Sequence, residues 1–375
     1  MFTGMNAHAI KYPWILLLSL LFFSCRRTPG NQDELFTKPA ENPVLAADST
    51  PVFFDPIKKE MVHWQKADVF NPAAIIKDGK VMMLYRAEDN PAAALGGRTS
   101  RIGLAESKDG LHFTRHPTPV LFPDSSSDFL QFEYPGGCED PRIVSTEDGN
   151  YFLCYTAWNG KLARLSIASS NDLLSWKKYG PVFLNAGQQW LDTWSKSGSI
   201  VSRLVNGNPQ AVRLNGKYWM FWGDTDIFLA YSNDLVHWIP LLDDKRKLVK
   251  VISPRKGFFD SGLAEPGPPA LIIKEGVQLI YNGKNHDKKE NSDPNFSPGM
   301  YGVGIVVVDS TDLTKVIRRS NKPFLYPTLP HEMTGQYASG TTFAEAYLEF
   351  NGTGFLYYGT ADSFVGVAIK KIASQ

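Results

Sequence analysis

Five stretches of the chain share one pattern, an apolar run at strand spacing that closes on an aromatic and then a small or polar residue: 81–86, 151–156, 218–223, 277–282 and 354–359. Each follows a Gly-containing turn, at Asp78-Gly79, Asp148-Gly149, Asn215-Gly216, Glu275-Gly276 and Asn351-Gly352. Asx-Gly is the strongest short-range hairpin signal because both central residues accept positive φ. A second echo trails three of the copies, at 105–113, 168–176 and 230–238, with a weaker fourth at 308–313. Several short strands recurring at a roughly blade-sized period predict an all-β chain, a five-bladed β-propeller.

In a propeller the first strand of each blade lines the axis, so polar residues at strand entrances converge on one mouth. The entrances are Asn71-Pro72-Ala73, Glu139-Asp140-Pro141-Arg142, Asn208-Pro209-Gln210-Ala211, Glu265-Pro266-Gly267 and Ala344-Glu345-Ala346. Three carry a carboxylate. Acids crowded in a cleft push their pKa values apart, which yields a protonated acid beside an ionised base, the requirement of glycosidase chemistry. Asp109, Asp172 and Asp234 recur with the repeat, as do His112 and His237 in two copies, so they read as turn formers. The quartet holding Asp140 occurs once, and its Arg142 either binds substrate or holds the neighbouring carboxylates ionised.

The N-terminus has a different character. Lys11 precedes an apolar run over 14–23, interrupted only by Ser19 and ended by Ser24-Cys25-Arg26-Arg27. A run of about ten residues is too short to span a bilayer and matches a signal-peptide core. Residues 20–25 resemble a lipobox, so 1–24 is expected to be a lipoprotein signal peptide with Cys25 acylated. Residues 25–50 then form a flexible tether and 51–375 the propeller. The protein is expected to be exported and held by its lipid anchor, in the periplasm or at the cell surface, with no other membrane contact.

Composition narrows the partners. Thirty-nine basic residues face 38 acidic ones in 375, a net charge of +1 with no run of either sign, which excludes the electrostatic footprint of a nucleic-acid binder. No Cys or His spacing forms a metal site, and no cofactor is expected. Cys138 and Cys154 either pair or remain two buried thiols. Trp190 and Trp194 fall in a stretch, 186–208, that fits no repeat; they are candidates for a ligand rim, with buried loop packing the commoner outcome. The polar insertion 286–300 reads as a lid or a surface loop.

One set of motifs carries a family resemblance: Phe70-Asn71-Pro72-Ala73 with Tyr85-Arg86, Arg101-Ile102-Gly103 with Asp109-Gly110, Gly137-Cys138-Glu139-Asp140-Pro141-Arg142, Gly267-Pro268-Pro269, and 358–368 around Asp362. In register over about 65–375, they resemble glycoside hydrolase family 130. The resemblance implies a five-bladed propeller acting on β-mannosides, by phosphorolysis in most branches and by inverting hydrolysis in a smaller one. It gives Asp140 the role of proton donor and Asn71, Arg86, Arg101 and Asp362 the sugar subsite.

Two departures bear on which reaction is expected. Where the phosphorylases are similar in ending the fourth-blade strand on a phosphate-binding His, this chain has Asn282; Arg164 and Lys196 remain candidates for a phosphate site. Glu265 stands where the phosphorylase pattern looks free of carboxylates, and Glu345 lies in the fifth blade. An inverting hydrolase needs a second carboxylate to activate water. The expectation is therefore an exo-acting inverting hydrolase of β-manno-oligosaccharides, β-1,2-linked by resemblance to the hydrolase branch, with Asp140 as acid and Glu265 or Glu345 as base. The alternatives are a β-mannoside phosphorylase, which would take inorganic phosphate and release mannose 1-phosphate, and a non-catalytic glycan-binding lipoprotein.

Overall fold

The predicted hairpins form at four of the five Gly-containing turns; at Asn215-Gly216 the chain makes a tight turn closed by a single bridge, Leu214 to Lys217. In three of the five turns both central residues are left-handed: Asp78 and Gly79 at φ 52° and 70°, Asn215 and Gly216 at 52° and 79°, Asn351 and Gly352 at 49° and 74°. The computed structural model describes residues 1, 36–94, 97–125 and 128–372; the apolar run and Cys25 lie outside the described residues.

Among the described residues the main strands fall into five antiparallel meanders. The first is β1 (Asp68–Lys77), β2 (Lys80–Glu88), β3 (Ser100–Ser107) and β4 (Thr114–Arg115). The second is β5 (Gly137–Ser145), β6 (Tyr151–Trp158), β7 (Ala163–Ser170) and β8 (Lys177–Pro181). In the third, β9 (Ser199–Ile200) pairs with β10 (Tyr218–Trp222), followed by β11 (Ile227–Ser232) and β12 (Trp238–Pro240). The fourth is β13 (Leu263–Pro266), β14 (Gly276–Lys284), β15 (Tyr301–Val308) and β16 (Val316–Arg319). The fifth is β17 (Phe343–Phe350), β18 (Thr353–Thr360) and β19 (Phe364–Lys371).

The third meander departs from expectation. Asn208–Ala211 does not open it but pairs with Ser202–Val205 as a separate hairpin, and the Asn208 amide bonds the backbone of Ile76 at both N–H and C=O. The apolar clusters lie between meanders and run in a cycle. Leu84 and Ile102 pack with Leu153 and Tyr155; Cys154 and Ile167 with Met220 and Trp238; Phe221 and Leu229 with Tyr281 and Val306; Ile280 and Val303 with Leu356 and Tyr358; Tyr357 and Val367 return to Met83 and Tyr85. The repeated aspartates are turn formers, as read: Asp109, Asp172 and Asp234 each accept two backbone N–H bonds from the residues two and three further on.

The fold begins earlier than residue 51. Thr37 bridges to Ile369 and Leu45 to Val365, laying 37–45 along the edge of β19. The Asn42 amide stands in for missing ladder bonds, donating to the Val367 carbonyl and accepting from its N–H, both at 2.8 Å. Lys38 inserts its ammonium beside the fully buried Glu332 at 2.7 Å. A Pro- and Asn-rich stretch reads as linker by composition, yet here its side chains replace the backbone bonds that such residues forgo. Cys138 and Cys154 are buried and free, and Asn285 holds the 286–300 insertion by donating to the carbonyls of Asp293, Phe296 and Ser297.

Candidate active site

Three inner strands are interrupted where the chemistry lies. The ladder slips between Phe70 and Pro72 on β1, between Glu139 and Arg142 on β5, and between Ala344 and Ala346 on β17. Such bulges insert a residue and re-aim side chains. Asn71 and Asp140 both sit at φ 49°, and Ser197 and Asp362 at 53° and 52°, left-handed conformations that non-glycine residues adopt at a cost. The Asn71 side chain reaches Asp140 because residue 359 is Gly; a Cβ there would lie 1.8 Å from Asn71 Oδ1.

The bulges on β1 and β5 open onto a cavity of about 330 Å³ whose lining includes Asn71, Arg86, Glu139, Asp140, Lys196, Glu265 and Asp362. A larger groove of about 520 Å³, lined in part by Lys80, Leu104 and Arg115, contains none of the strand-entrance acids. In the site cavity Arg86 is the hub. Its guanidinium donates to Asp140 at 3.0 Å, Glu139 at 2.9 Å, Glu88 at 2.7 Å and the Ser100 hydroxyl at 3.0 Å. Asn71 donates to the same Asp140 oxygen at 2.8 Å, and the Lys196 ammonium lies 3.8 Å from the other. The Ser197 hydroxyl donates to Glu265.

This arrangement separates the acids electrostatically. Burial pushes Asp140 up, but Arg86, Lys196 and the Asn71 bond outweigh it and hold the carboxyl well below the usual range. Glu139, one residue away, is pushed up to about 7 by burial despite Arg86 and Lys196. Burial also takes Glu265 to about 7, with Asp224 adding to the rise and Lys196 opposing it, and Asp362 to about 6 against the pull of Arg86. Lys196 stays charged: burial lowers its pKa, and Asp140, Glu139 and Glu265 more than restore it.

Six of the eleven protein-site residues singled out in sequence line the cavity: Asn71, Arg86, Asp140, Lys196, Glu265 and Asp362. Five do not. Arg164 donates to the Leu191 carbonyl at 2.8 Å and lies 3.5 Å from Asp192. Arg101 is fully buried between Asp55 and Asp89, at 2.5 and 3.0 Å, where it ties the 53–62 hairpin to the first meander. Asn282 is spent on the backbone of Ala344, which it bonds at both N–H and C=O. Arg142 and Glu345 are buried against each other at 3.1 Å. Sequence reading assigned no role to Glu139, Tyr301, Tyr337, Thr341 or Phe343, which also line the cavity. Trp194 lies at the cavity, 44% exposed, edge-on to Trp158 with its indole N–H on Asp224, a rim position rather than a buried one.

Known proteins give this geometry a setting. The family model described as beta-1,4-mannooligosaccharide phosphorylase matches residues 48–374. A 1,2-beta-oligomannan phosphorylase of Thermoanaerobacter sp. (strain X514) is 33% identical over 313 residues, 82% of this chain and 92% of that protein. A solved structure reported with the statement that this family of mannoside phosphorylases contains glycoside hydrolases targeting beta-1,2 mannosidic linkages in Candida mannan is 43% identical. It has a TM-score of 0.87, covering 91% of this chain and 95% of that one. A glycosyl hydrolase structure from Bacteroides ovatus is likewise 43% identical, TM-score 0.86, over 89% and 93% of the two chains. The chain belongs to glycoside hydrolase family 130 and is an enzyme of the mannoside-processing kind.

Proposed function

We propose that this five-meander chain is a five-bladed propeller whose cavity hydrolyses β-mannosides, β-1,2-linked ones in particular, from a chain end and with inversion. The observation that carries the hydrolytic reading is the charge lining the cavity. Among the described residues that line the cavity, the four acids Glu139, Asp140, Glu265 and Asp362 outnumber the two cations, Arg86 and Lys196, and both cations lie against Asp140. A phosphate dianion entering such a site meets carboxylates, whereas water is admitted freely. Glu265 suits the base: it borders the cavity, and a carboxyl near 7 accepts a proton well at neutral pH. Asp140 protonates the departing oxygen. Because Arg86 and Lys196 hold it ionised, it takes up a proton before giving one, and Glu139 on the same guanidinium is the adjacent store. The cycle of apolar contacts supports the propeller, since radial packing returns the last meander to the first.

Incubation with linkage-defined mannobioses, with and without inorganic phosphate, tests this. Mannose release independent of phosphate is expected. The second reading, phosphorolysis, is favoured by the 33% identical phosphorylase and would show as mannose 1-phosphate formed only with phosphate. Binding without turnover would leave the glycan-binding reading. The proposal includes export and acylation at Cys25, for which Cys25→Ala should shift the protein from membrane to soluble fractions.

A further inference from the structure

Of the two glutamates read from sequence as candidate bases, only one reaches the cavity, and the other has a different connection to the chemistry. Glu345 sits at the β17 bulge with no exposed surface, and the Arg142 guanidinium lies 3.1 Å from its carboxylate. That guanidinium makes three further contacts. It donates to the Asp140 carbonyl at 3.1 Å, the Pro266 carbonyl at 3.1 Å and the Gly267 carbonyl at 3.0 Å. One side chain thus holds the backbone of the residue bearing the acid and the backbone immediately after the residue bearing the base.

Both of those backbones need holding. Asp140 occupies a left-handed bulge, where no ladder partner fixes it, and the four-residue strand that carries Glu265 stops one residue later, at Pro266. Burial pushes the Glu345 carboxyl well up despite Arg142, and neither of its oxygens accepts a hydrogen bond, so its side chain backs the guanidinium by packing against it. Removing that side chain gives the guanidinium room to leave the carbonyls. We propose that Glu345 is a positioning residue that, through Arg142, fixes the separation and aim of Asp140 and Glu265. The inference rests on the acid and base assignment above. It goes further by removing Glu345 from the candidate bases and giving its side chain a geometric task.

The positions ask for a particular kinetic signature. A group that aims the reacting pair affects turnover far more than sugar binding, because Asn71, Arg86 and Asp362 line the cavity and Arg142 does not. Misplacement of about 1 Å costs roughly a hundredfold in rate. Glu345→Ala is therefore expected to lower kcat on mannobiose by about a hundredfold with KM changed less than about threefold. Azide, a small anion that can take the place of the activated water, is expected to restore turnover of an aryl β-mannoside to Glu265→Ala. The product is α-mannosyl azide, formed as azide attacks the anomeric carbon and the aryloxide leaves. Azide should do nothing for Glu345→Ala, which opens no space at the cavity.

A double variant separates positioning from stability. Arg142→Met with Glu345→Leu removes both polar groups and leaves the Asp140, Pro266 and Gly267 carbonyls without their donor, so Tm should fall, and kcat is read on the protein that circular dichroism shows folded at the assay temperature, where it remains down by the same factor. The inference is overturned if Glu345→Ala or the folded double variant keeps kcat within about twofold of the parent, or if azide rescues Glu345→Ala. Failure of the hydrolytic reading is visible separately, as turnover of the unmodified enzyme that requires phosphate. In that event the Glu345→Ala comparison is read on phosphorolysis, with the same fold-change expected.

Discussion

Glu139 and Asp140 are neighbours in sequence, bound to one guanidinium, and shifted in opposite directions, Glu139 up by burial and Asp140 down by the Arg86 and Lys196 charges. With Glu265 also near 7, the free enzyme should show a bell-shaped kcat/KM profile centred near neutrality. Below about 7 Glu265 gains a proton and is lost as base; above about 7 Glu139 loses the proton it stores. The limbs belong to the coupled cluster rather than to single groups. Glu139→Gln, which has no proton to hand over, should lower kcat/KM throughout and remove the alkaline limb while leaving the acidic one, and an unchanged profile would exclude the storage role. Glu265→Ala should cut hydrolysis of mannobiose roughly 10³-fold, the usual share of a general base, as read by mannose release at fixed pH.

The bulges explain why a strand-based reading found part of the site and missed the rest. Period-two alternation puts adjacent residues on opposite faces, so choosing Asp140 as a cavity residue argues against Glu139; the slip between Glu139 and Arg142 cancels that rule, and both line the cavity. Arg142 and Asn282 follow the alternation in sequence but spend their polar atoms on backbone, an outcome no spacing reveals. Tyr337 and Thr341 come from an irregular loop with no period to read. By contrast four of the five hairpins and the recurring turn aspartates were legible, because Asx-Gly chemistry and repetition are local. One close approach offers a test at this scale. Gly359→Ala should force the Asn71 amide off Asp140 and, by losing a hydrogen bond to a charged group, lower kcat/KM roughly tenfold or more, with Asn71→Ala giving a comparable loss.

At the scale of the molecule, residues 37–45 belong to the fold although their composition reads as linker. A chain begun at residue 51 leaves the β19 edge bare and Glu332 buried without its counterion. Lys38→Met alone should cost about 3 kcal/mol, since it strands a buried carboxylate, and lower Tm by roughly 5–10 °C in a calorimetric scan; the truncation should cost more. Thr37 and Ile369 in this strap are 332 residues apart along the chain. During synthesis the 37–45 segment therefore has no mate until β19 has emerged, and the seam is sewn late. A nascent chain of this design stays open-ended until β19 arrives, and whatever grips 37–45 in that interval holds back the stitch.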